Sequence, residues 1–216
     1  MNAPPSFRTL ARTAALAGAL ALAGCASLVG GGNDRNAIYA PTPAVRADAA
    51  WPQAPWQLVV STTSATAVTD SQRIAVRPQP NELQVYKDAN WARRPTEMVE
   101  DVVLRTLESS NKVGAVARVG SGVNADYRLV LDLRRFESDY RGAATPAAVV
   151  EINAKLLHAI DDRVVASRTF VQTQPAASTE VPVVVDAFGA ALADAGHDIA
   201  GWALTAGQAH RHETKR

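Results

Sequence analysis

The chain has a single cysteine, Cys25, and only four lysines beside eighteen arginines. One thiol excludes an internal disulfide framework and a zinc site built from cysteines. Lys+Arg 22 against Asp+Glu 21 leaves a net charge of +1. There is thus no basic surplus of the kind that holds nucleic acid or an anionic membrane. Long apolar runs are scarce too. Ala14 to Ala23 makes ten residues, about half of the roughly 20 that a helix needs to cross a bilayer. Catalytic signatures are missing: there is no His-Glu-x-x-His, no Gly-x-Ser-x-Gly elbow and no phosphate loop. Disorder is disfavoured as well, since 47% of residues are hydrophobic and 20% charged. At 216 residues, one domain with tails is the natural expectation.

What is present begins at the N-terminus. Arg8 and Arg12 precede the apolar run, and no acidic residue occurs in residues 1–24. This is the layout of a secretory signal peptide. It ends at Leu22-Ala23-Gly24-Cys25, which resembles the lipobox of bacterial lipoproteins. That resemblance implies cleavage before Cys25, diacylglycerol on its thiol and a further acyl chain on the new amino terminus. Several chains hold a protein far more firmly than one, each buried CH₂ contributing about 0.8 kcal/mol. Ala26 and Ser27 follow the cysteine; the lack of aspartate there favours export to the outer membrane.

Four segments are expected: a signal peptide (1–24), a lipidated N-terminus and flexible tether (25–55), one α+β domain (56–207) and a polar tail (208–216). The tether reading rests on Gly30-Gly31-Gly32, Pro41, Pro43, Pro52 and Pro55 and on the lack of a sustained period. Thirty flexible residues would span roughly 30 Å. The alternative is a segment packed along the domain, anchored by Trp51 and Trp56.

From Trp56 the periods sharpen. Residues 56–60, 73–77 and 82–86 alternate as strands, and Pro78 and Pro80 point to an edge or an irregular connection between the last two. Pro95 opens a helix with Val99, Val102, Val103 and Leu107 on one face, and Asn111 is placed to end it. Strands follow over 113–119, 126–136, 149–160 and 164–173, with Asp161-Asp162-Arg163 as a hairpin turn. A long helix starts at Val181-Pro182, with Val184, Val185, Phe188, Leu192, Ala195, Ile199 and Trp202 at helical spacing. Two amphipathic helices on one face of a mostly antiparallel sheet bury these stripes.

Chemistry-bearing residues are scattered. His210 and His212 read as a solvated basic end, and His158 as a hydrogen-bonded or exposed strand residue. Arg93-Arg94 and Arg134-Arg135 read as solvated surface. Glu137 and Asp139 flank Ser138 and could pair for acid–base work. No metal site and no cofactor is expected, nor an enzymatic activity.

Asn90-Trp91-Ala92 before the first helix, Asp126-Tyr127 with Leu129 in the later strand, and Trp56-Gln57-Leu58 resemble the ABC-type transport auxiliary lipoprotein family. The resemblance spans about 56 to 206. It implies a fold similar to the N-terminal domain of TolB and a non-catalytic component working with an MCE-domain protein and ABC transporter components in intermembrane lipid transport. It also implies an outer-membrane lipid anchor and allows a homo-oligomeric ring. Exposed Tyr86 or Trp91 would serve as interface anchors, since aromatics dominate such contacts; Trp91 also suits packing under the first helix. Three other readings stand beside this one: an outer-membrane assembly scaffold, a hydrolase using Glu137 and Asp139, and a carrier enclosing lipid.

Overall fold

The computed structural model describes residues 36–214. The chain runs β1 (Ala37–Tyr39), β2 (Ala54–Val60), β3 (Ser64–Ala65), β4 (Arg73–Gln79), β5 (Glu82–Trp91), α1 (Pro95–Ser110), β6 (Val113–Arg118), β7 (Tyr127–Asp139), β8 (Ala147–His158), β9 (Val164–Pro175) and α2 (Val181–Thr214). The class is α+β, as the patterns predict. Two strands, β1 and β3, are new, and at three and two residues they are too short to show a period.

β7 organises the sheet. Tyr127, Leu129, Leu131 and Leu133 alternate toward the helices and are at most 3% exposed, so a slip of one residue would turn all four outward. β8 pairs antiparallel along β7, and β9 antiparallel along β8. The other edge of β7 takes three parallel partners in turn: β2 at its start, β3 at Asp132–Leu133 and β4 at Ser138–Asp139. β6 lies outside β2; β5 and then β1 lie outside β4. The two longest ladders, β7–β8 and β8–β9, are antiparallel, and the partners on the other edge of β7 are short and parallel. β4 is an interior strand, so its prolines mark not an edge but the other alternative, an irregular connection, with the register to β5 shifting between Val76 and Gln79. Pro78 falls just past the last β7 pair at Arg77, and Pro80-Asn81 turn the chain into β5 with Gln79 opposite Glu82.

α1 buries Val99, Val102, Val103 and Leu107 completely. Its N-terminus is capped from a distance. Asp70 accepts from the Thr96 backbone N–H at 3.0 Å and from the Thr96 hydroxyl at 2.8 Å, placing a carboxylate at the positive end of the helix. Asn111 ends the helix in the left-handed region at φ 52°.

α2 is 34 residues long, roughly 50 Å, and lies along β8 and β9 with α1 against its side. The expected polar tail is corrected here. The helix does not stop at Gly207 but continues to Thr214. A Cβ on Gly207 would lie 2.6 Å from the Trp56 ring, so the glycine lets α2 pass directly over that indole and carry His210 into a buried position, 8% exposed.

The expected tether also needs correction. Residues 25–35, Cys25 included, lie outside the described residues, but 37–55 belong to the domain. β1 pairs in parallel with β5, Ala37 opposite Ala89 and Tyr39 opposite Trp91. Arg46 forms an ion pair with Asp194 of α2, and Lys112 Nζ donates to the Ala49 carbonyl at 2.9 Å. Trp51 rests on Gly201, where a Cβ would meet its Nε1 at 2.6 Å. The missing period reflects irregular backbone, not lack of packing. Among the described residues no helix is long and apolar enough to cross a membrane.

Candidate functional site

The end of β7 holds the most buried carboxylates among the ion pairs of the described residues. A register shift between Leu133 and Arg135 changes which residues face the core. Phe136 is buried on the helix side, and Arg135, Glu137 and Asp139 share the opposite face. Arg77 of β4 grips Glu137 with two parallel hydrogen bonds, Nε to Oε1 at 2.9 Å and Nη2 to Oε2 at 2.8 Å. Arg135 donates to Glu137 Oε1 and to Asp139 Oδ2, both at 2.7 Å. Arg141 gives Asp139 its backbone N–H at 3.0 Å and its Nε at 3.2 Å. Glu137 and Asp139 are 4% and 6% exposed.

Burial alone would raise both carboxyl pKa values. For Glu137 the guanidiniums of Arg77 and Arg135 outweigh it, and for Asp139 those of Arg135 and Arg141 do. Both acids are held below their ordinary values. A general acid or base needs a pKa near the working pH and room for a substrate beside it; these two carboxylates are held low and are enclosed among the guanidiniums of Arg77, Arg135 and Arg141. The acid–base reading of the pair is therefore replaced by a structural one, a network of charge-assisted bonds tying β4 to β7. Arg135, expected on solvated surface, is mostly enclosed, its side chain 28% exposed.

Ser138 between them is fully buried, and its hydroxyl lies 2.9 Å from that of Tyr86. Tyr86 is half-buried; desolvation pushes its phenol up to about 12 against the opposing effect of the Ser138 hydrogen bond. Its hydroxyl is engaged inward, which leaves part of the ring on β5 for other contacts. Trp91 is placed otherwise. It is 2% exposed, edge-on to Phe136 at 5.6 Å and to Phe188 at 5.1 Å. As an exposed interface anchor it is corrected to a core residue joining β5, β7 and α2.

A second cluster escaped the sequence reading. The Tyr127 hydroxyl lies 3.0 Å from His210 Nδ1 and 3.2 Å from the Gly207 carbonyl. Arg163 Nη2 sits 2.9 Å from His210 Nε2; a guanidinium only donates, so Nε2 accepts and Nδ1 carries the proton. His158 beside it bonds Asp161 at 2.9 Å, and that contact holds the Asp161 carboxyl below its usual value. The cluster pins the end of α2 to the β8–β9 hairpin. The clue available in sequence was that His210 continues the stripe of Leu192, Ile199 and Ala203 by further steps of seven or so residues.

Fold and charge distribution together define an α+β domain whose most buried carboxylates, Glu137 and Asp139, are paired internally and whose segment after Ala37 meets its long helix at Asp194 and Gly201. The chain belongs to the family of ABC-type transport auxiliary lipoprotein components, whose model matches residues 37–200. Members of that family are auxiliary lipoprotein components of ABC-type transport, and a lipoprotein family is one of membrane-anchored periplasmic proteins. A crystal structure of a Xanthomonas campestris protein of the DUF330 family is 50% identical and superposes with a TM-score of 0.78, covering 82% of this chain and 99% of that one. An uncharacterized protein of known structure, 16% identical with a TM-score of 0.57, shares the fold over 73% of this chain and 97% of its own. An uncharacterized Bradyrhizobium diazoefficiens protein is 26% identical over 149 residues, 69% of this chain. The chain spans 40% of the length of that curated relative.

Proposed function

We propose that the chain is an outer-membrane-anchored periplasmic lipoprotein that acts, without catalysis, as a docking component of an ABC/MCE-type intermembrane lipid transport system. The observation that carries this reading is the family match over residues 37–200 on a chain that also bears Leu22-Ala23-Gly24-Cys25. Acyl chains on Cys25 hold the domain at the membrane, and its surface meets an MCE-domain protein working with the transporter. A ring of copies would repeat that surface around one axis. The interior supports docking over carriage: Trp56, Trp91, Phe188 and Leu192 fill the space between helices and sheet, none more than 2% exposed. Tyr86 shares β5 with Leu83 and Val85, 39% and 41% exposed, and that strand is the proposed contact.

Cys25→Ser provides the test. The variant is expected to keep its circular dichroism and melting temperature, leave the membrane fraction and lose lipid-transport function in cells. Crosslinking from position 86 in membranes is expected to capture an MCE-domain protein. Full function from the soluble variant would refute anchorage, and capture of a β-barrel protein would shift the assignment to an assembly scaffold.

A further inference from the structure

The four tryptophans divide sharply. Trp56 and Trp91 are core residues, whereas Trp51 and Trp202 are only partly buried and line one open cleft between the N-terminal segment, α2 and β9. The cleft has a volume of about 380 Å³, inside the range of roughly 300–1,000 Å³ typical of small-ligand sites. Each indole is held from behind. Trp51 lies on Gly201 with its ring 4.9 Å from that of His197. Trp202 stands edge-on to Phe170 at 5.7 Å. The remaining ring surface faces solvent.

The polar groups at the rim are balanced. The guanidinium of Arg168 sits 5.0 Å over the Phe170 ring and makes no ion pair with any described residue. Asp198 is half-exposed; it accepts from Gln172 Nε2 at 2.8 Å and lies 3.3 Å from His197 Nδ1. One cation and one carboxylate beside two aromatic faces select against simple ligands. An anion would meet Arg168 but be opposed by Asp198, and a hydrocarbon would strip water from both without replacing its hydrogen bonds. A pyranose satisfies the whole set. Its C–H faces lie on the indoles, its hydroxyls donate to Asp198, and its oxygens accept from Arg168.

We propose that the Trp51–Trp202 cleft binds a neutral glycan, giving the domain an attachment separate from its transport role and independent of it. Because Trp51 and Trp202 are the partly exposed tryptophans, intrinsic fluorescence reads this cleft directly. The mature lipoprotein in phosphatidylcholine vesicles would be titrated with cellotetraose and with tetra-N-acetylchitotetraose. A saturable quench and blue shift with at least one of them is expected. Calorimetry should then show at least tenfold weaker binding for Asp198→Asn and for Trp202→Ala, with Trp202→Phe retaining most of it. Should Trp202→Ala fail to fold, Asp198→Asn decides, since its side chain is at the surface. Absence of a response to both tetrasaccharides, or binding unchanged in Asp198→Asn, would overturn the proposal. So would a response to inorganic phosphate, or to phosphatidylglycerol added to the vesicles, that Arg168→Gln removes.

Discussion

Arg135 occupies the position where one side chain holds two buried carboxylates, and its loss has a calculable signature. Arg135→Gln leaves Glu137 with Arg77 and Asp139 with Arg141, so neither acid is abandoned. The expected cost is about 1–3 kcal/mol, the range for hydrogen bonds to charged groups, reduced by the partial exposure of Arg135. Urea unfolding at neutral pH measures it. The pH dependence has a definite sign. Glu137 and Asp139 are held below their ordinary values when folded, so their contribution is present above the unfolded carboxylate range near pH 4 and is lost as the pH falls through their folded values. The stability difference between wild type and Arg135→Gln should therefore shrink on acidification below about pH 4. A difference that stays constant down to pH 2 would mean that Arg135 stabilises through something other than its ion pairs with Glu137 and Asp139. Arg135, Glu137 and Asp139 stand at i, i+2 and i+4, a spacing that places three charges on one face of a strand. That much was readable in sequence. Arg77, sixty residues away, was not, and it is what turns a candidate acid pair into a structural one.

Elements with their own period were legible, and elements defined by a distant partner were not. α1, the β8–β9 hairpin and the start of α2 follow from stripes that a short window contains. β1 exists only because Ala89–Trp91 lies beside it, and β3 because Asp132–Leu133 does. The far end of α2 misled for a related reason: Gly207 and the polar residues after it look like a stop until Trp56 is placed beneath them. Gly207→Ala separates two opposing effects. An alanine raises helix propensity by about 1 kcal/mol, but its Cβ would stand 2.6 Å from the Trp56 ring. Overpacking typically costs about 1–3 kcal/mol, so the variant should melt lower than wild type; a higher melting temperature would show that the indole yields freely. Truncation after Gln208 tests the helix end itself. A solvated tail could be removed without effect. Loss of His210 instead removes a partner of Arg163 and one of the two partners of the Tyr127 hydroxyl, which keeps the Gly207 carbonyl, at an expected cost of about 1–3 kcal/mol visible as a lower denaturant midpoint.

At the scale of the whole molecule, the proposed anchor at Cys25 and the first described strand limit how far the domain can stand from the membrane. A tether ending at residue 55 would have left thirty residues of free reach. Pairing of Ala37 with Ala89 shortens this to the twelve residue steps from Cys25 to Ala37, which even fully extended cover roughly 40 Å. On the proposed docking role the domain must meet its partner at a set height above the membrane, so that reach is a functional quantity. Deleting residues 28–33 would halve it while leaving the Ala26 and Ser27 context of the lipidation site and all of the described fold intact. The deletion should keep membrane retention and melting temperature but lose lipid-transport function, and reinsertion of six Gly/Ser residues should restore it. Membrane fractionation, calorimetry and a lipid-homeostasis assay on the same strains distinguish these effects. Unchanged function in the shortened protein would show that the domain works at any height, and the partner contact would then have to be sought on the face toward the membrane.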